Sequence, residues 1–428
     1  VKVLVLGAAV SGIAAARLAR RVGHDVEVYD QRARAVARLR GEGFALHSGT
    51  WSGRALHDVD LVITSPGIPE HADPITGTLR AGIPLVSEME FAAGHLEAPY
   101  VAVTGTNGKT TVTEAAAAML AASGLRSCGA GNIGTALSDV VGETWDAVVV
   151  EASSFQLRFI DAFHPAAAAI TNVAPDHLDW HGTEQAYADA KARIFEHMTA
   201  QDVLAFDADD AGAAHLALQS RSRRIRVSGT AVTADGYGVE QGHLVLADLR
   251  IPAPEVGAPF LADLALAAAV ARSVGATAAG ITAAVTNFRP GAHRRSLVAE
   301  RNGIAYVNDS KATNPHAAAA SVQSYPSVVL IAGGRNKGLD LSPLATLPSV
   351  RFIVGLGEAA DELAVVVPAD RFHRAGDMVE AVTVASARAR PGDVVLLAPG
   401  CASFDMYESY AARGEAFATA VRQLEEVA

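Results

Sequence analysis

Short apolar runs ending on a glycine or an acid recur along the chain, separated by alanine-rich stretches. This is the pattern of strands buried on both faces and of the helices that cover them. "VKVLVLG" predicts a strand, Ser11 to Arg21 a helix, and "DVEVYD" a second strand ending at Asp30. "DLVITSPGIP", Asp60 to Pro69, adds a strand that runs into a Ser-Pro-Gly turn, and "AGIPLVSEMEFA" leads out of this segment. The grammar returns from Pro99. "YVAVTG" is a strand, Thr110 to Ala122 a helix stopped at Gly124, and "WDAVVVEASS" a buried strand closing on Glu151. "AAAAITNVAPDHLDWHG" passes from a strand into a His- and Asp-rich loop, after which Thr183 caps a helix to about Met198. "GTAVTADGYGVEQGHLVLADLRIPAPEV" alternates short strands and turns, a small β-rich addition before the helical run Phe260 to Val274. Beyond "VTNFRPGAHRR", strands are expected at "IAYVNDS", "SVVLIAGG", "RFIVGLG" and "DVVLLAPG". The whole predicts an α/β protein with mostly parallel sheets in three domains, residues 1–95, 96–290 and 291–428.

Length and composition agree with that division. A chain of 428 residues, half of them hydrophobic and 19% charged, fits two or three helix-and-sheet domains that each bury a core. The formal charge of −11 argues against a nonspecific nucleic-acid binder. No apolar run reaches the roughly 18 residues of a membrane span, and the first residues read as strand and turn rather than a signal peptide, so a cytoplasmic protein is expected. Cys128 and Cys401 are the only cysteines and support neither a disulfide framework nor a cysteine-based zinc site.

Nearly every unusual polar residue falls just past the carboxyl end of an expected strand: Asp30, Ser65, the loop "GTNGKTT", Glu151, Asn172, Asp309, Arg335, Lys337 and Ser403. Open parallel sheets place ligands there, so a shared cleft is expected. In "GTNGKTT", Gly105 and Gly108 let backbone amides converge on phosphate oxygens, Lys109 supplies a point charge and Thr110 a hydroxyl for magnesium. The general phosphate-loop pattern asks for a glycine six residues before that lysine, where Val103 stands. Glu151 sits where such a fold puts an acid able to reach the metal, and the imidazole of His177 is a second candidate ligand. Lys191 is an anomaly: with Tyr187, Ile194, Phe195 and Met198 it forms the apolar stripe of its helix. A lysine there is expected to be partly desolvated, which favours the neutral, nucleophilic amine; the alternative is a packed stem whose ammonium snorkels to water. Asp309, Lys311 and Thr313 stand over a helix start marked by Asn314 and Pro315, and Ser403 is expected at another helix entry. The first turn, "GAAVSG", keeps Gly7 and Gly12 but has Ala9 at the second glycine of the dinucleotide fingerprint. An NAD-dependent dehydrogenase would explain that turn and Asp30 but leave Lys109, Thr110 and the third segment idle. A noncatalytic nucleotide-binding module is a further alternative.

"GTNGKTT", "GNIG", "EASSFQL", "NVAPDHLD", "YADAKARIF", "HR", "NDSKATNPHA", "AGGRNKG" and "APGCASFD" follow one another in an order that resembles the Mur ligases over essentially the whole chain. "DSKATNPHA" points, within that family, to the branch that adds D-glutamate; a sister ligase for another amino acid is the nearest rival. The resemblance implies a Rossmann-like N-terminal domain for a UDP-sugar, a central P-loop-type ATPase domain and a Rossmann-like C-terminal domain for the amino acid. The implied reaction joins UDP-MurNAc-L-Ala to D-glutamate at the expense of ATP, through an acyl phosphate, in a cytoplasmic, monomeric enzyme of peptidoglycan precursor synthesis. Gly105, Thr106, Asn107, Gly108, Lys109, Thr110 and Thr111, with Arg294, Asp309 and Lys311, would hold ATP. Thr110 and Glu151 would serve one Mg2+, and His177 and Lys191 a second, Lys191 as a CO2-derived carbamate; Lys109, Glu151, His177 and Lys191 form the implied catalytic set. Val10, Ser11, Asp30, Arg32, Ser65 and Gly67 would meet the UDP end, Asn132 and His177 the muramoyl-alanine portion. Thr313, Lys337, Ser403 and Tyr410 would meet D-glutamate. Two departures from the family pattern stand out: Phe260 and Asp263, where asparagines near the adenine are usual, and Tyr410, where a phenylalanine is expected.

Overall fold

The structure, a computed structural model, describes residues 1–424. The chain forms two compact units: Val1–Val173 with Trp180–Phe288, and Ala174–Asp179 with the residues from Arg289 on.

The first unit holds two parallel sheets. In one, β1 (Lys2–Leu6), β2 (Asp25–Asp30), β3 (Ala45–Ser48), β4 (Leu61–Thr64) and β5 (Leu85–Ser87) lie in the order β3-β2-β1-β4-β5. The turn after β1 depends on its glycines. A Cβ on Gly12 would stand 1.9 Å from the Gly7 carbonyl oxygen, and one on Gly7 2.8 Å from Ser65 Oγ, with Gly7 at φ +91°. In the second sheet, β6 (Tyr100–Thr104), β7 (Ser127–Gly131), β8 (Ala147–Glu151), β9 (Ala167–Ile170), β10 (Val203–Asp207) and β11 (Arg223–Val227) run in the order β11-β10-β9-β6-β8-β7. The helices Lys109–Ala122 and Ala258–Ser273 pack against each other over this sheet. Every residue from Phe260 to Ala271 is buried, so this helix is a core element apolar on nearly all sides. The expected β-rich addition is a three-stranded antiparallel sheet of β12 (Tyr237–Glu240), β13 (His243–Leu246) and β14 (Leu249–Pro252).

The first two sheets are joined through the helix Glu88–Ala93, whose first residue is fully buried. Glu88 Oε1 accepts the Ser138 backbone N–H at 2.7 Å. Arg158 forms a bidentate pair with Glu70 at 2.6 and 3.0 Å.

The second unit is built on β15 (Ser296–Arg301), β16 (Ile304–Asn308), β17 (Val328–Gly333), β18 (Val350–Leu356), β19 (Phe372–Arg374) and β20 (Val394–Gly400), in the order β15-β16-β20-β17-β18-β19. Only β15 runs antiparallel to its neighbour. Apolar residues fill both faces of this sheet: Val328, Leu330 and Leu396 on one side, Val329, Ile331 and Val395 on the other.

Two local expectations fail. The helix capped by Thr183 ends at Ala192, and a 3₁₀ turn over Arg193–Phe195 takes the chain toward Met198. Ser403 does not open a helix: it sits in a turn after β20, and the next helix, Tyr410–Gln423, is capped by Ser409, whose Oγ accepts the Ala412 N–H. No helix among the described residues is long and apolar enough to cross a membrane.

Candidate functional site

The loop after β6 is held in shape from below by the end of β9. The Thr106 N–H donates to the Asn172 carbonyl at 2.8 Å and the Asn107 N–H to Asn172 Oδ1 at 2.9 Å, while Asn172 Nδ2 returns a bond to the Asn107 carbonyl at 3.1 Å. Thr171 Oγ1 also donates to the Asn107 carbonyl. This packing leaves no room for side chains at the glycines. A Cβ on Gly105 would lie 1.8 Å from Thr171 Oγ1, and one on Gly108 2.5 Å from Asp263 Oδ1; their φ angles are +147° and +83°. Gly108 caps the fourteen-residue helix Lys109–Ala122, so the loop ends at a helix N-terminus, where backbone N–H groups favour negative charge. Lys109 Nζ lies over the loop, donating to the Gly105 and Thr106 carbonyls at 2.9 and 3.0 Å. Asp263 thus borders the phosphate loop itself, and Phe260 packs near Phe288 with ring centroids 6.1 Å apart.

Lys191 reaches the same loop. It is 1% exposed, its Nζ donates to the Gly105 carbonyl at 2.6 Å, and it lies 4.4 Å from the centre of the Tyr187 ring, whose hydroxyl donates to Thr106 Oγ1 at 3.2 Å. The ammonium is therefore buried rather than snorkelling to water. On the other side of β6, Glu151 is 3% exposed. Its Oε1 accepts Asn132 Nδ2 at 2.9 Å, while its Oε2 is buried with no hydrogen-bond partner. The "GNIG" turn packs directly on it, because the Asn132 N–H donates to the Glu151 carbonyl at 2.9 Å.

Among the described residues no three His, Cys, Asp or Glu side chains cluster in a way that could hold an ion by themselves. Magnesium commonly takes one or two carboxylates and completes its shell with water and phosphate oxygens. The vacant Oε2 of Glu151 fits such a ligand. A carbamate on Lys191 also fits its surroundings, since it would keep one N–H for the Gly105 carbonyl while adding two oxygens. His177 falls in the second unit, at φ +53°, with its N–H donating to Asp176 Oδ1 at 2.8 Å.

At the N-terminal sheet the Asp30 carboxylate is occupied by protein. Its Oδ2 accepts the Ala8 N–H at 2.9 Å, and Oδ1 the Arg32 N–H at 2.9 Å and Nε at 3.2 Å. Burial alone would raise its pKa, but the Arg32 guanidinium and these amides hold the carboxyl below the usual range. Asp30 therefore braces the first turn. Ser65 Oγ, beside Gly7 and Gly12, is buried without a hydrogen-bond partner. Val10, Arg32 and Gly67 are exposed and Ser11 half-buried around that turn.

In the second unit, loops from three adjacent strands, β16, β20 and β17, converge on Arg413, a side chain that pattern reading did not single out. It is 2% exposed. Its Nε donates to Ser310 Oγ at 3.0 Å, Nη2 to the Ser310 carbonyl at 3.0 Å, and Nη1 to the Cys401 and Ala402 carbonyls at 3.1 and 3.3 Å. Burial pushes its pKa down to about 10. Asp309 accepts the Arg295 N–H at 3.3 Å, and its burial raises its pKa. Lys311 Nζ lies 4.0 Å from the centre of the Tyr410 ring, a cation–π contact that tyrosine supports as well as phenylalanine. Lys337 Nζ donates to Asp176 Oδ1 at 2.9 Å. Arg294 and Thr313 are half-buried and Ser403 is buried in the same unit, whereas Arg335 is paired with Glu358 at 3.0 Å.

Comparison with known proteins places the chain in a family. Three family models match: the Mur ligase MurD-like N-terminal domain over residues 1–87, the Mur ligase middle domain over 103–243, and the Mur ligase glutamate ligase domain over 293–401. The chain belongs to the Mur ligase family and has its three-domain fold. Among curated proteins it is similar to the UDP-N-acetylmuramoylalanine–D-glutamate ligases of Frankia casuarinae and Pelotomaculum thermopropionicum. The first is 45% identical over 99% of this chain and 94% of the relative, the second 38% over 99% and 98%. Solved structures share the fold at lower identity. A pseudomurein peptide ligase type C from Methanothermus fervidus has a TM-score of 0.63 at 16% identity, covering 99% of both chains. The UDP-N-acetylmuramate-alanine ligase MurC from Thermotoga maritima has a TM-score of 0.57 at 19%, covering all of both.

Proposed function

We propose that the protein adds D-glutamate to UDP-N-acetylmuramoyl-L-alanine at the expense of ATP, the assignment expected from "DSKATNPHA". The observation that carries this reading is the likeness, over nearly the whole length of both chains, to relatives named for that reaction. The phosphate loop with Lys109 and the buried Glu151 and Lys191 supply the means.

Chemically, the carboxylate of the L-alanyl residue attacks the γ-phosphorus of ATP, forming an acyl phosphate and releasing ADP. The neutral amine of D-glutamate then attacks the acyl carbon. The tetrahedral intermediate expels inorganic phosphate, and the nitrogen loses a proton to give the amide. The protein's part is to align and neutralise. The amides of Gly105 to Thr111, at a helix N-terminus, and Lys109 bind the transferring phosphate; Arg294, Asp309 and Lys311 hold the rest of ATP. Thr110 and Glu151 would hold one magnesium ion, and His177 with a carbamate on Lys191 a second; such ions screen the phosphate charge from the approaching carboxylate. Val10, Ser11, Asp30, Arg32, Ser65 and Gly67 form the UDP end of the site, with Asp30 acting through the turn it braces. Asn132 and His177 take the muramoyl-alanine portion, and Thr313, Lys337, Ser403 and Tyr410 the D-glutamate. In this reading residues 1–95 bind the UDP-sugar, 96–290 bind ATP and 291–428 the amino acid, in a monomer working in the cytoplasm.

The test is substrate dependence. Phosphate release should require ATP, magnesium, UDP-MurNAc-L-Ala and D-glutamate together and vanish in Lys109→Ala. Phosphate release without the UDP-sugar, or undiminished in Lys109→Ala, would contradict it.

A further inference from the structure

Asp176 is a buried carboxylate that none of the roles above uses. It is 4% exposed, and both oxygens are engaged within the second unit. Oδ1 accepts Lys337 Nζ at 2.9 Å and the His177 N–H at 2.8 Å; Oδ2 accepts Asn314 Nδ2 at 3.1 Å. Asn314 in turn caps the helix Pro315–Val322, its Oδ1 accepting the Ala317 N–H at 2.8 Å. One carboxylate therefore fixes two elements from separate loops: the lysine after β17, and the turn that carries Thr313 next to the cap.

A lysine ammonium has three donors on a flexible stem and is normally a mobile point charge. Held by Asp176, Lys337 has one donor committed and its stem ordered, with its side chain still 17% exposed. Two donors stay free for an incoming carboxylate, and the ordering cost is met before the substrate arrives. Asp176 also offsets the lysine's charge, so a carboxylate is recognised by directed hydrogen bonds beside Thr313 rather than by an open cation.

We propose that Asp176 is a positioning residue for the acidic amino-acid substrate, acting by ordering Lys337. The inference rests on the reading that Lys337 and Thr313 bind the amino acid. The experiment is a double-mutant cycle with Asp176→Asn and Lys337→Met in the full chain, measuring kcat and each KM. Hydrogen bonds to charged groups of this kind are worth roughly tenfold or more in binding. Asp176→Asn should therefore raise the D-glutamate KM by about tenfold, leave the KM values for ATP and UDP-MurNAc-L-Ala within about twofold, and add nothing further in the Lys337→Met background. Asp176→Glu should recover part of the loss.

Three results would overturn the proposal: a D-glutamate KM unchanged in Asp176→Asn, effects that multiply in the double variant, or a fall in kcat alone. If wild-type enzyme prefers another amino acid, the reading of the substrate fails, and the same cycle run on the preferred amino acid tests Asp176 separately.

Discussion

Replacing Glu88 by glutamine should make the folded protein less sensitive to rising pH, by an amount the structure sets. Glu88 is fully buried; its Oε1 takes the Ser138 N–H, and its Oε2 is buried without a partner. Burial pushes its pKa from 4.5 to about 7. The folded state therefore keeps a proton that the unfolded chain releases near pH 4.5, and stability falls as pH rises between these values, levelling off above pH 7. At about 1.4 kcal/mol per pH unit, that window costs about 3 kcal/mol. Glutamine keeps an acceptor for the Ser138 N–H and cannot ionise. Its amide strands a donor, a cost of roughly 1 kcal/mol that does not depend on pH. Wild type should then be at least as stable as Glu88→Gln below pH 4.5, and the variant should gain about 3 kcal/mol relative to wild type by the time pH exceeds 7. Urea unfolding followed by tryptophan fluorescence reads the right part of the molecule, because Trp51, Trp145 and Trp180 all lie in the first unit. Stability curves of wild type and variant that run parallel across pH would show that Glu88 does not hold an extra proton in the folded state.

Two further substitutions probe the phosphate loop. Gly108→Ala places a methyl 2.5 Å from Asp263 Oδ1 at a φ of +83°; such strain costs roughly 1 to 3 kcal/mol, so the ATP KM should rise about tenfold or more, and an unchanged value would show that the loop yields easily. Lys191→Ala should abolish turnover and regain part of it with added short carboxylates, which can supply the oxygens of the proposed carbamate; full activity without them would rule out an essential role.

The elements that local pattern could reveal were legible. Apolar runs ending on a polar residue marked β6, β8, β9, β16, β17 and β20, and the polar residues at their ends do stand on adjacent strands of each sheet. The stripe of Tyr187, Ile194, Phe195 and Met198 is buried, and Lys191 with it, although the helix itself ends at Ala192 and a 3₁₀ turn carries Ile194 and Phe195. β3, β7, β10, β11, β19 and the antiparallel β15 were passed over: "SCGAG" and "RRIRV" lack the apolar run that marks a buried strand, whereas "VLAFD" of β10 carries it and was missed all the same. What pattern could not reach were partners far apart in the chain. Lys337 meets Asp176 across 161 residues, Arg413 meets Ser310 across 103, and Asn107 meets Asn172 across 65. Arg413 in particular reads as an ordinary helix-surface arginine between alanine and glycine, and only the convergence of loops around it makes it a core residue. Asp30 was legible as a special acid, but not as one whose lone pairs are already taken by Ala8 and Arg32.

The identity of the amino acid decides which ligase the chain is. Phosphate release should be measured with ATP, magnesium and UDP-MurNAc-L-Ala while D-glutamate, L-glutamate, L-alanine, L-lysine and diaminopimelate are supplied in turn. Turnover is expected with D-glutamate and little with the others; turnover that depends on a different amino acid and ignores D-glutamate would overturn the assignment.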